Sequence, residues 1–80
     1  MSENSEKLVD SFVQGLGISP QQVSDDLAYQ AISEWDSTGH MALVAELEAC
    51  FDVMLDTDEI IDMSSVPKAR QILQKHGVEF

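Results

Sequence analysis

Apolar side chains recur along this chain at helical spacing. Leu8, Val9, Phe12, Val13 and Leu16 fall at i, i+4 and i+8 with a second row one residue on, which predicts a helix over 7–16 with one buried side. Gly15 and Gly17 suit its C-terminal stop. Ser19-Pro20-Gln21-Gln22 then offers a capping hydroxyl, a proline for the first helical position and a glutamine placed to reach back, so a short helical turn is expected. From Val23 to Trp35 no period stands out. Leu27, Tyr29, Ile32 and Trp35 are nevertheless too apolar for a free loop, and they predict an irregular connection pinned onto the core by those side chains.

The strongest pattern lies between Ser37 and Phe51. Stepping about 100° per residue gathers His40, Leu43, Val44, Leu47, Cys50 and Phe51 into one arc, with Glu46, Glu48 and Asp52 outside it. Asp36 and Ser37 are both good residues to open such an amphipathic helix. The same projection leaves Thr38, Met41, Ala42, Ala45 and Ala49 outward, a strip of small and apolar groups bordered by carboxylates and suited to contact with a partner. Asp56-Thr57-Asp58-Glu59 supplies caps and an acidic first turn for a short helix ending near Met63. A last helix opens at Ser64-Ser65, carries Pro67 in its first turn, buries Val66, Ala69, Ile72 and Leu73, and stops at Gly77. No stretch alternates with period two, and neither a repeat nor a low-complexity linker divides the chain. The expected fold is all-α: residues 1–80 as one domain, a four-helix bundle with a long first connection and a short third helix.

Composition narrows what such a bundle can do. Eighty residues, 44% of them apolar, hold one compact core and leave no room for a deep cleft walled by several layers, which argues against a self-contained enzyme. Fifteen Asp and Glu against four Lys and Arg give a net charge of −11, a surface that repels nucleic acid and anionic membranes alike. The natural partner is a protein with a basic patch, reached under electrostatic steering, and a monomer is expected. No apolar run is long enough to span a membrane, and Met1-Ser2-Glu3-Asn4-Ser5-Glu6 lacks the features of a signal peptide, so the chain reads as cytoplasmic. One cysteine, Cys50, allows neither an internal disulfide nor a cysteine-based metal cage, and it falls in the buried arc of its helix as a small packed hydrophobe.

Chemistry concentrates at Trp35-Asp36-Ser37-Thr38. Ser37 stands at the start of the best helix, where peptide N–H groups are unpaired and the dipole is positive, so a phosphodiester built on its hydroxyl would be stabilised. A plain N-cap accounts for the tetrad equally well. The run that follows extends the pattern. Asp36-Ser37-Thr38-Gly39-His40-Met41-Ala42-Leu43-Val44-Ala45-Glu46-Leu47-Glu48-Ala49-Cys50-Phe51 resembles the signature of acyl carrier proteins, in which an Asp-Ser-Leu tripeptide opens the second helix. Leu43, Val44, Leu47, Glu48 and Phe51 stand at that family's helix-two core and Leu-Glu pair, Leu55 at its apolar position after the helix, Asp58-Glu59 at its acidic third helix and Val66 at the valine opening its last helix. The likeness covers Trp35 to Leu73 and is looser before it.

The resemblance implies an acyl-carrier-like bundle in which Ser37, flanked by Asp36 and Thr38, receives 4′-phosphopantetheine from coenzyme A through a separate phosphopantetheinyl transferase. The thiol ending that arm would hold an acyl group as a thioester and present it to acyl-loading and acyl-processing enzymes with basic docking patches. Met41, Ala42, Ala45, Glu46, Glu48, Asp52, Asp58 and Glu59 are the residues expected to meet those partners. Thr38 stands where the common signature has Leu, Gly39 where many fatty-acid carriers have Asp, and Ala42 where many have Glu. Trp35 before the Asp and Gly39-His40-Met41 after the Ser are similar to carriers of specialised lipid or secondary-metabolite pathways. Two alternatives stay open: an aminoacyl or peptidyl carrier, and an acidic helical adapter that is never modified.

Other candidate residues have simpler readings. His40, three residues from Ser37 and with Asp36 nearby, has the makings of a nucleophile–base pair, but its projection points it at the core as a packed residue. His76 beside Gly77 suits a helix C-terminus. Asp56 to Asp62 has acids at the first, third and seventh places of a calcium loop, yet Ile61 holds the sixth, where glycine is required, and Pro67 the twelfth. No metal site is expected, only diffuse divalent binding that relieves carboxylate repulsion.

Overall fold

Phe12 and Trp35, both fully buried, meet edge to face with ring centroids 5.4 Å apart, and the helices close around them. The computed structural model describes residues 3–80. Met1 and Ser2, part of the amino-terminal segment and of the 1–80 domain expected above, lie outside it. The order of elements is α1 (Glu3–Leu16), a 3₁₀ turn (Pro20–Gln22), α2 (Ser37–Phe51), α3 (Thr57–Asp62) and α4 (Val66–Lys75). The described residues contain four α-helices and no strand, in an all-helical globule of 30 × 29 × 20 Å.

Helix α1 begins a full turn before its apolar period does. Glu3 and Glu6 occupy the first turn, where acids favour the positive end of the helix, and Asn4 donates to the carbonyl of Glu79 at 2.9 Å, tying that turn to the far end of the chain. A wholly polar first turn leaves no hydrophobic mark in the sequence. Leu8, Phe12 and Leu16 form the buried row. The helix stops at Gly17, in the left-handed region at φ 69°, whose N–H bonds back to Val13.

Gly15 has a different role from the stop expected for it. It lies inside α1, and a Cβ there would sit 2.7 Å from Leu43 Cα and 3.0 Å from Leu43 N. The missing side chain lets α1 and α2 cross nearly backbone to backbone. Cys50 Sγ lies 3.9 Å from the Lys7 carbonyl at the other end of the pair, so the two helices run antiparallel.

The long connection is anchored as its composition suggests, with one exception. Leu27 and Trp35 are buried and Ile32 half-buried, whereas Tyr29 remains 36% exposed at the rim. Backbone bonds complete the anchoring. Tyr29 N–H donates to Ser64 O at 2.8 Å and Val66 N–H to Leu27 O at 3.3 Å, pairing the loop with the α3–α4 junction through an isolated bridge between Ala28 and Ser65. Ser65 then caps α4 by accepting from Lys68 N–H. Among the described residues, no buried side-chain nitrogen or oxygen lacks a partner, and no helix is long and apolar enough to cross a membrane.

Candidate functional site

Asp36 opens α2. Its backbone is extended, and its Oδ1 accepts the Gly39 N–H at 2.8 Å, so the cap is the aspartate and Ser37 is the first residue within the helix. The Ser37 side chain is exposed and makes no hydrogen bond to the described residues. The helix uses the Asp36 carboxylate to satisfy its third N–H and needs nothing from the serine, whose hydroxyl stands free at the positive end. Thr38, also exposed, lies beside it.

Gly39 explains how the chain arrives there. A Cβ at this position would collide with the carbonyl of Glu34 and come within 3.2 Å of Leu16 Cδ2, so only glycine lets the Ser33–Trp35 turn lie against the first turn of α2. That close approach puts Trp35 beneath the helix, where its Nε1–H donates to His40 Nδ1 at 2.9 Å. The two rings are nearly coplanar, 18° apart with centroids at 6.2 Å, the arrangement of an in-plane hydrogen bond. On its other side His40 Nε2 lies 2.7 Å from Ile60 O. A carbonyl only accepts, so the proton sits on Nε2 and Nδ1 receives the indole. The imidazole thus joins the long loop to α3, and neither ring nitrogen is directed at the Ser37 hydroxyl. His40 is packed as expected; the relay through it was not legible, because His40, Trp35 and Ile60 show no common spacing in sequence.

The outward strip of α2 is exposed throughout. Ser37, Met41, Ala45 and Ala49 follow one another at intervals of four residues, with Thr38 and Ala42 alongside, and Met41 is 56% exposed. Ile61, 74% exposed, adds apolar surface on α3, at the edge of a cleft of about 250 Å³ lined by Tyr29, His40, Ile60 and Met63. Met54, in the connection before α3, is 86% exposed, and neither Met54 nor Ile61 stood out in the sequence as surface residues.

The acids divide into two groups. Asp52 and Asp58 are exposed and Glu46 is half-buried. Asp52 also turns the chain out of α2 in the left-handed region, φ 53°, a conformation that aspartate tolerates better than most residues. Glu48 and Glu59, also among the residues expected to meet partners, are half-buried and make bonds within the fold. Glu48 Oε2 accepts Leu55 N–H at 2.9 Å, closing the turn that follows α2. Glu59 forms a capping box with Asp56, each carboxylate accepting the other's N–H, and also meets His76 Nε2 at 2.9 and 3.0 Å. The bond to His76, helped by the one from Asp56 N–H, holds the Glu59 carboxyl below the usual range. His76 is the C-cap of α4, so this pair ties the two short helices together.

No group of three or more His, Cys, Asp or Glu among the described residues is arranged to hold a metal ion. No family model matches this chain, and no curated protein matches it.

Proposed function

We propose that the chain is a carrier protein whose Ser37 hydroxyl accepts a 4′-phosphopantetheine arm. The observation that carries this reading is the state of Ser37: exposed, unbonded among the described residues and first in α2, with Asp36 already serving as the cap. In the transfer, Ser37 Oγ would attack the phosphorus bearing pantetheine in coenzyme A. The new O–P bond replaces one bond of the pyrophosphate, adenosine 3′,5′-bisphosphate leaves, and the hydroxyl proton passes to a base of the transferase. The resulting phosphodiester would sit at the positive end of α2, where negative charge is favoured.

In this reading the chain performs no chemistry of its own. Its task is to keep a thioester tethered and concentrated at each enzyme it visits. The exposed strip of Met41, Ala42 and Ala45 would supply the contact, while the surrounding charge speeds encounter more than it strengthens the complex. The cargo is an acyl or related group, and the departures at Thr38, Gly39 and Ala42 favour enzymes of a specialised pathway.

The deciding experiment is mass spectrometry of the purified protein after incubation with coenzyme A and a broad-specificity phosphopantetheinyl transferase. The expected result is the gain of one phosphopantetheine, located on Ser37 and absent from Ser37→Ala. A wild-type chain that gains nothing is an unmodified adapter.

A further inference from the structure

A groove of about 400 Å³ lies between α1, the 3₁₀ turn with the residues after it, and the start of α4. No residue of α2 or α3 lines it, so it is separate from the Ser37 face. Val9, Val13 and Val23 are half-buried along it, and Glu6, Asp10 and Asp25 are exposed at its edge. Arg70, the one cation lining the groove, is already paired with Asp25 at 3.1 Å. Val9 and Val13 are one helical turn apart, as are Glu6 and Asp10. An apolar row and an acidic row therefore run side by side along α1, at the repeat of a helix laid against it.

We propose that this groove docks a basic amphipathic helix of a partner protein, its apolar side chains seated on the valines and its Lys or Arg side chains on Glu6, Asp10 and Asp25. Charge selects this occupant. A second copy of the chain would bring the same acidic rim and another net charge of −11, and an anionic lipid surface would be repelled for the same reason. The site does not depend on Ser37 being modified. If Ser37 is loaded, a carrier held at this groove keeps its α2 face free and concentrated near one enzyme.

The test uses a synthetic amphipathic peptide of about 18 residues, leucine on one face and lysine on the other, titrated into the full ¹⁵N-labelled chain. The amide shifts should move at Glu6, Val9, Asp10, Val13 and Val23. The double variant Glu6→Lys/Asp10→Lys should weaken binding about tenfold or more, against about twofold or less for the same charge change at Glu34 and Glu46. Val13→Gln, which alters no charge, should also weaken it, and Ser37→Ala should not, whether or not Ser37 is a site of modification. Circular dichroism establishes that each variant is folded. Shifts centred on α2 and α3, equal losses from the two charge reversals, or equal binding of a leucine–glutamate peptide would each overturn the proposal.

Discussion

The indole of Trp35 and the imidazole of His40 lie side by side, joined by a 2.9 Å hydrogen bond that, with His40 to Ile60 O at 2.7 Å, fixes the first turn of α2 to α3. Trp35 is fully buried, so its N–H has no water to fall back on. His40→Leu keeps the apolar volume but leaves that donor and the Ile60 carbonyl unpaired. We expect a loss of about 1–3 kcal/mol, read from urea unfolding. Adding Trp35→Phe to His40→Leu should cost less than the two single losses together, because the orphaned donor is gone. Strict additivity would show that the bond contributes nothing.

Gly15 and Gly39 should both resist alanine. In a helix interior that change normally gains up to about 1 kcal/mol from backbone entropy. At these two positions the new methyl group meets main-chain atoms, of Leu43 and of Glu34, which cannot rotate away. Overpacking of this kind costs about 1–3 kcal/mol, so the net effect is destabilising for each. Thermal melts of Gly15→Ala and Gly39→Ala decide the sign; a higher midpoint in either would mean that the helices yield there.

These glycines also mark where sequence patterns stop being informative. The 3.6-residue period located α1, α2 and α4, because burial of one face is written in apolar residues at helical spacing such as Leu43, Val44 and Leu47. Helix α3, which buries no residue, was marked by its capping residues and acidic first turn. A close approach between Gly15 and Leu43 is a relation between distant parts of the chain and leaves no periodic trace, which is why Gly15 passed for a helix stop. The same holds at the acids. Projection places Glu48 outside the buried arc, and Glu59 reads as part of an acidic first turn, but neither pattern can show that Leu55 N–H and His76 come to meet them. Ser37 was readable because a hydroxyl at a helix start, just after an aspartate, is a local feature.

The Glu59–His76 pair predicts a pH dependence of defined sign. The carboxyl of Glu59 is held below its ordinary value in the fold, chiefly by His76. Its contribution is complete above the ordinary carboxylate value and disappears as pH falls through that value and past the lowered one. In His76→Gln the Glu59 carboxyl should titrate closer to an unperturbed glutamate, and the acid limb of the stability profile should flatten. Carbon-detected NMR titration of the Glu59 side chain reads this directly. An unmoved midpoint would assign the shift to the Asp56 N–H instead.

Self-repulsion gives the last expected outcome. At roughly 10 mM salt the screening length is about 30 Å, and the protein measures 30 × 29 × 20 Å, so each carboxylate feels every other. At physiological ionic strength the length falls to about 8 Å and only neighbours interact. Three ion pairs, Lys68–Asp62, Arg70–Asp25 and His76–Glu59, are present among the described residues, against fifteen acids in the chain. Screening therefore removes more repulsion than attraction, and the melting temperature should rise with sodium chloride. A relief of about 1 kcal/mol corresponds to roughly 4–8 °C in a domain of this size. Magnesium at millimolar concentration should act more strongly than sodium at equal ionic strength, since a divalent ion relieves two carboxylates at once. A melting curve unchanged from low to physiological salt would mean that the charge is already neutralised by its arrangement.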